Sequence, residues 1–177
     1  MRVFGWPARL GLAAVAGLAL IAAFAYFQPQ KLVLNQRVDE TIPASPQPSL
    51  AQGATDSTSP SPNGSQRLLA SASLQSLEHQ SSGTVFLIEL PGGQRILRLE
   101  NLATSNGPDL RVYLSITPAS SDWYGYDRDY LDLGALKGNL GNQNYEVPAG
   151  VDLAKYRSAV IWCRRFMVGF AVADLRG

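Results

Sequence analysis

Short apolar runs separated by turn-forming residues extend along the second half of the chain. Residues 84–90 are rich in β-branched and aromatic side chains and end at Pro91-Gly92-Gly93, and residues 95–100 follow with polar and apolar positions interleaved. Together they predict a β-hairpin. Residues 68–79 fit either a helix or a first strand. The whole pattern predicts an all-β domain, an antiparallel β-sandwich or barrel-like fold of seven or eight strands. Its remaining strands fall on three further apolar runs, at residues 110–116, 158–162 and 166–173.

An apolar segment near the N-terminus predicts the location of the protein. Residues 10–27 form an uncharged run of 18 residues. As an α-helix, this run would cover about 27 Å, enough to cross the hydrocarbon core of a bilayer. Arg2 and Arg9 precede it, and positive charge before a span favours a cytoplasmic N-terminus. We therefore expect residues 1–9 in the cytoplasm, a single-pass signal anchor over residues 10–27, and an extracytoplasmic C-terminal domain, periplasmic or at the cell surface.

A cleaved signal peptide is the alternative to an uncleaved anchor. Ala23-Phe24-Ala25 has the small-x-small form that signal peptidase accepts. Both alternatives place the domain in the same compartment. Residues 28–66 are rich in Ser and Pro, and we predict that they form a flexible, disordered linker. The β domain then occupies residues 67–177.

Charge and composition exclude several classes of function. The formal net charge is +1, so no overall positive field attracts nucleic acid. The glycines at 134, 138 and 141 lack the strand-to-helix context of a phosphate-binding loop. His79 is the only histidine, which argues against a Ser-His-Asp or Cys-His enzyme and against a zinc site. We predict no metal site and no hydrolytic activity.

Cys163 is the only cysteine of the chain, so it cannot form an intramolecular disulfide. Arg164 and Arg165 follow it, and nearby positive charge favours a reactive thiolate. In an extended strand, however, Cys163 shares a face with Ile161 and can point into the core as an inert apolar residue. Both alternatives stay open on the sequence alone.

Polar and aromatic residues are mixed between residues 122 and 130. The segment contains Trp123, Tyr124, Tyr126 and Tyr130 together with three aspartates. Such a cluster could stack on sugars, pass electrons or hold a metal through oxygen ligands. The alternative is a long loop whose rings pin it to the sandwich, and the sequence favours this second interpretation.

Three motifs in order carry a resemblance to a known family. They are Asn106-Gly107-Pro108-Asp109-Leu110, the segment Leu133 to Tyr145 with its Leu136-Lys137-Gly138-Asn139 and Gly141-Asn142-Gln143-Asn144-Tyr145 core, and Ile161-Trp162-Cys163. This set closely resembles the DM-thirteen domain, also called the electron-transfer DM domain, over residues 70–175. The resemblance implies a β-sandwich-like extracytoplasmic module. It also implies a redox role for the cysteine that matches Cys163, as a free thiol or as a ligand to a group such as haem.

Two hypotheses follow. In the first, the protein is a membrane-tethered extracytoplasmic redox module that exchanges electrons with a donor or acceptor through Cys163. In the second, it is a non-catalytic sandwich that binds an envelope or extracellular partner, with Cys163 packed inside. In both hypotheses, residues 10–27 hold the protein in the membrane.

Overall fold

The computed structural model describes residues 11, 14–19, 21, 34–43, 66–120, 122 and 124–176. These residues form two five-stranded β-sheets and a 3-10 helix at Leu153–Lys155. The strands are β1 (Arg37–Asp39), β2 (Arg67–Ser73), β3 (Gln75–Ser76), β4 (Ser82–Glu89), β5 (Arg95–Ala103), β6 (Leu110–Ser115), β7 (Tyr130–Ala135), β8 (Leu140–Val147), β9 (Ser158–Cys163) and β10 (Val168–Asp174). The prediction of an all-β domain is confirmed.

The two sheets enclose one main core. The first sheet has the strand order β1-β8-β5-β4-β2, and the second has the order β3-β10-β9-β6-β7. Every strand pair is antiparallel except β1 with β8. Side chains from both sheets meet between them, among them Leu97 and Leu99 of β5 and Leu114 of β6, all fully buried. Alternation along each strand produces this arrangement, because successive side chains point to opposite faces.

The predicted hairpin is confirmed as β4 and β5, which pair from Glu89 and Arg95 outward. Residues 68–79, for which the sequence allowed a helix or a strand, contain most of β2 and all of β3. The alternating runs at 110–116, 158–162 and 166–173 correspond to β6, β9 and β10. The pattern did not predict β1, β7 or β8.

Most of residues 1–33 lie outside the described residues, including the predicted cytoplasmic residues 1–9. Within the predicted anchor over 10–27, residues 11, 14–19 and 21 are helical. Among the residues that the structure describes, no helix is both long enough and apolar enough to cross a membrane. The signal-peptide alternative at Ala23-Phe24-Ala25 also falls outside them.

The segment 34–43 differs from the flexible linker predicted over residues 28–66. It contains β1, which lies parallel to β8 with Val38 opposite Gly141. Backbone and side-chain hydrogen bonds hold it there, as described below, and these outweigh its low apolar content. The remainder of the predicted linker, apart from residue 66, is outside the described residues.

Candidate functional site

The three sequence motifs meet at one end of the sandwich, although they are distant in sequence. Leu110, which ends the first motif and begins β6, lies directly opposite Cys163 in the β6–β9 ladder. The Leu136 N–H donates to the Leu110 carbonyl oxygen at 2.8 Å. The motifs therefore form one continuous region around Leu110.

A cleft of about 140 Å³ lies between the first two motifs. Gly107 closes one side, where an added Cβ would lie 2.8 Å from Leu110 Cδ2 and 3.1 Å from Phe170 Cζ. A larger residue at position 107 would therefore require the Leu110 side chain to shift. We call this space the motif cleft. Its lining residues are Leu34, Gln36, Asn106, Gly107, Pro108, Asp109, Leu110, Ala135, Leu136, Gly138 and Asn139.

Cys163 is fully buried, with 0% of its surface exposed. Its side chain belongs to the main core cluster together with Ala159 and Ile161 of the same strand, whereas Val160 and Trp162 lie on the outer face. This orientation is the one that strand alternation predicts. The thiol does not line the motif cleft, even though its neighbour Leu110 does. A dissolved reagent therefore does not reach the sulfur in the folded state.

The two arginines after Cys163 are directed to solvent. Arg164 Nε donates to Asp109 Oδ2 at 2.8 Å, and the Arg164 N–H donates to the Asp109 carbonyl oxygen at 3.0 Å. The hydrogen bond to Asp109 raises the pKa of Arg164, and the charge of that carboxylate adds to the effect. Arg165 is also exposed. The positive charge of Arg164 is thus compensated by Asp109, and the pair fastens the end of β9 to the first motif.

The surroundings of Cys163 do not fit a haem. Sites for small molecules and cofactors have volumes of roughly 300–1,000 Å³. The motif cleft is smaller, and the void among Val112, Ala159 and Ile161 has no room for a water molecule. His79 lies against Phe170, with ring centroids 3.8 Å apart and ring planes tilted by 31°. Within the described part of the chain, no group of three or more His, Cys, Asp or Glu residues could hold a metal.

Aromatic side chains cover the outer face of the second sheet. Tyr126 is fully buried there beside Tyr113 and Trp162. Its hydroxyl accepts from the Ser120 N–H at 2.9 Å and donates to the Ser120 carbonyl oxygen at 3.1 Å. The loop before β7 is therefore pinned to the sheet at Tyr126, as the second sequence interpretation expected. Trp123 is outside the described residues.

Tyr113 connects this aromatic cluster to the surface. Its ring stacks on that of Tyr130, with centroids 4.1 Å apart, and lies 6.5 Å from that of Trp162. Burial raises the pKa of Tyr113, and the nearby Tyr130 raises it further. The phenol of Tyr113 therefore stays protonated throughout the physiological range.

A buried polar network supports the second motif, and the sequence analysis missed it. Gln143 has no exposed surface, and its side-chain oxygen accepts from the N–H groups of Lys137 and Gly138 at 3.1 and 3.2 Å. Its Nε2 donates to the Gly138 carbonyl oxygen at 2.7 Å. The Tyr145 hydroxyl donates to the same Gln143 oxygen at 2.8 Å, and burial raises the pKa of Tyr145. The sequence signal available for it was the run of polar residues Asn142-Gln143-Asn144, in a segment where the apolar pattern predicted no strand.

One of three comparisons with known proteins gives a match. No curated protein matches the chain, and no solved structure matches it. A family model described as Electron transfer DM13 matches residues 73–175, which include all three motifs, Cys163 and every strand from β4 to β10. That match covers more than half of the sequence. The chain belongs to the Electron transfer DM13 family.

Proposed function

We propose that residues 67–177 are an electron-transfer domain, held outside the cytoplasm by a membrane anchor over residues 10–27. Membership of the Electron transfer DM13 family is the observation on which the electron-transfer part depends. The apolar run and the arginines before it support the anchor and its orientation. An extracytoplasmic compartment is oxidising, so disulfides of other proteins are available there as electron acceptors.

Cys163 is the redox group in this proposal, and its burial determines how it can react. Thiol–disulfide exchange requires a thiolate that another sulfur can reach. Cys163 is the last residue of β9, and its partners Leu110 and Val168 form the terminal pairs of the two flanking ladders. Strand ends open at a lower free energy than the whole domain. The thiol therefore reacts after local opening at this end of the sandwich.

The reaction is an exchange with a disulfide of a partner protein. In the opened state, the Cys163 thiol releases its proton to solvent, and the thiolate attacks one sulfur of the partner disulfide. An S–S bond forms between Cys163 and that sulfur, and the second partner sulfur leaves as a thiolate. Cys163 is oxidised, and the leaving sulfur is reduced.

A second candidate function is favoured by the complete burial of Cys163 among apolar side chains. In that case, the domain is a non-catalytic binding module for an envelope or extracellular partner. Cys163 then serves as a small apolar core residue.

Reaction of the full chain with a small aromatic disulfide in native buffer distinguishes the two functions. The redox function predicts a single mixed disulfide at Cys163, detected by mass spectrometry, while the near-ultraviolet circular dichroism of the domain is unchanged. The Cys163→Ala variant should gain no mass. A thiol that reacts only in denaturant would contradict the redox function and support the binding module. The visible spectrum of the same sample should show no haem band.

The anchor is tested separately in cells. The full chain should remain in the membrane fraction after an alkaline wash. Its C-terminus should be digested by protease added to cells whose outer envelope has been made permeable while the cytoplasmic membrane stays closed. A mature chain that begins after Ala25 and is released in soluble form would contradict the anchor in favour of a cleaved signal peptide.

A further inference from the structure

Gly138 and Gly141 of the second motif lie against the main chain of the segment 34–43. A Cβ on Gly138 would collide with the Gln36 carbonyl oxygen, and a Cβ on Gly141 would collide with the Val38 carbonyl oxygen. Both obstacles are backbone atoms, which cannot turn aside as a flexible side chain can. The glycines therefore leave a space along β8 that a second main chain fills.

Backbone hydrogen bonds join the two chains along this edge. The Leu140 N–H donates to the Gln36 carbonyl oxygen at 3.2 Å, and the Glu40 N–H donates to the Asn142 carbonyl oxygen at 2.9 Å. Such contacts do not depend on side-chain identity, so this part of the edge recognises an extended backbone and not a particular sequence.

The asparagines of the motif bind the backbone of the same segment. The Asn139 side chain is almost fully buried; it accepts from the Gln36 N–H at 2.7 Å and donates to Asn35 Oδ1 at 2.9 Å. Asn144 Nδ2 donates to the Thr41 carbonyl oxygen at 2.7 Å. These side chains satisfy backbone groups at both ends of the short ladder, where the strands themselves do not.

Glu40 provides side-chain specificity. Its carboxylate accepts from Lys137 Nζ at 2.7 and 2.9 Å and from the Asn144 N–H at 2.8 Å. Its carbonyl oxygen accepts from Arg98, a nearly buried side chain, at 2.9 Å. Beyond it, Ile42 packs on the apolar cluster of Ile88, Leu90 and Ile96.

We propose that the edge from Lys137 to Asn144, formed by the first part of β8 and the three residues before it, is a strand-binding site for an extended peptide that carries a carboxylate. Its occupant is the segment 34–43 of the same chain. The family match over residues 73–175 includes the site and excludes the segment. The second motif, which the redox function does not use, is thereby given a role in binding.

Occupation of this site shortens the tether between membrane and domain. This consequence, unlike the site itself, rests on the proposed anchor over residues 10–27. With β1 docked, the chain from residue 27 to Arg37 spans at most about 35 Å, at roughly 3.3–3.6 Å per residue. With β1 released, the chain from residue 27 to Arg67 spans up to about 140 Å. Docking therefore holds the domain close to the membrane.

Amide hydrogen exchange in the full chain tests the site. Gly138→Ala introduces the Cβ that collides with the Gln36 carbonyl oxygen, and no left-handed backbone angle at this position adds strain. Protection of the Glu40 amide should fall by about tenfold or more, while the amides of β9 keep theirs. Arg37→Ala, which removes only an exposed ion pair with Asp39, should leave the protection of Glu40 unchanged. Unchanged protection in Gly138→Ala would overturn the proposal.

Binding of a peptide to the vacated site tests the same proposal if Gly138→Ala does not fold. Glu40→Pro removes the N–H that bonds Asn142 and should vacate the site in the full chain. A fluorescent peptide of residues 34–43 should then bind, with a rise in anisotropy, to the Glu40→Pro chain but not to the wild type. A folded Glu40→Pro chain that binds no peptide would overturn the proposal. These readouts do not involve Cys163, so they can fail independently of the redox function.

The tether is measured by energy transfer in vesicles of phosphatidylcholine doped with an acceptor lipid. The donor dye is attached at Lys155→Cys, an exposed position, in a Cys163→Ala background, so that the dye cannot react at position 163. Gly138→Ala should lower the transfer relative to the Arg37→Ala control. Equal energy transfer in the two variants would contradict the shortened tether. Whether the strand-binding site exists would still be determined by the amide-exchange and peptide-binding experiments.

Discussion

Cys163 and Val168 form the last pair of the β9–β10 ladder, and the exposed turn 164–167 joins them. The thiol is thus fully buried yet lies at a strand end. Because a strand end can open without unfolding of the core, one residue can be inert in the closed state and reactive in a minor state. The redox function proposed for this domain depends on that opening.

The turn contains a strained residue that should control the opening. Met167 has a φ of 55°, which is unfavourable for a residue with a Cβ, and its side chain is exposed. Met167→Gly should stabilise the closed turn by about 1 kcal/mol and slow the labelling of Cys163 about fivefold. Phe166→Gly is the matched control, because it removes an exposed side chain without relieving strain, and it should accelerate labelling. Equal rates in the two variants would show that the turn does not control access.

Cys163 also contributes to the packing of the core. Cys163→Ser places a hydroxyl among apolar side chains and should lower the free energy of unfolding by about 1–3 kcal/mol. Urea denaturation followed by tryptophan fluorescence measures the change. A serine variant as stable as the wild type would mean that position 163 is more polar and more open than the structure indicates.

Gln143 should be among the least replaceable polar residues of the sandwich. Gln143→Leu leaves the Gly138 N–H and carbonyl oxygen without their side-chain partner and should cost about 2–4 kcal/mol of stability. Asn142→Ala, at a more exposed position of the same strand, is the control and should cost less than about 1 kcal/mol. Urea midpoints of the two variants give the comparison.

Docking of β1 should weaken in acid because of Glu40. Burial opposes ionisation of this carboxyl, but hydrogen bonds from Lys137 and the Asn144 N–H outweigh it, so its pKa is lowered from 4.5. The charges of Lys137 and Arg98 act in the same direction. Undocked Glu40 therefore binds its proton more readily than docked Glu40, and the stabilisation is fully present above the ordinary carboxyl pKa. It is lost as the pH falls through the lowered value.

Amide exchange at Glu40 across the acid range measures this dependence. The wild type should lose protection progressively below about pH 4.5, near the ordinary carboxyl pKa. The Glu40→Gln variant should show weaker protection and a flatter profile. Asp39, Glu100 and Glu146 also lie near this edge, and a profile unchanged in Glu40→Gln would assign the effect to one of them.

The sequence predicted the parts of the fold that depend on hydrophobic alternation. The hairpin of β4 and β5 follows from an apolar run, a Pro-Gly-Gly turn and an alternating run. Alternation also put Cys163 on the same face as Ile161, which was one of the two alternatives that the sequence left open. The pairing of β1 with β8 was not predictable in this way. It depends on glycines that leave space for a backbone about 100 residues earlier in the chain, and on asparagines that bind that backbone. Neither effect leaves an apolar pattern.

The features of the candidate site divide in the same way: those set within one strand were predictable, and those set by contacts between distant segments were not. Alternation placed Cys163 on the same face of the strand as Ile161. The neutralisation of the Arg164 charge by Asp109 was not predictable, because it requires two loops that are distant in sequence to meet. The burial of Gln143 was also hidden, because a polar residue in a strand is expected to face solvent unless its partners are known. Contacts between distant segments, and not local propensity, determine these features.

Native-state labelling of Cys163 in the full chain, measured across a series of low urea concentrations, tests the redox account most directly. The account predicts that the free energy of the opening that exposes the thiol is several kcal/mol smaller than that of global unfolding and depends little on urea. Labelling that proceeds only through global unfolding, with the same free energy and the same urea dependence, would contradict it.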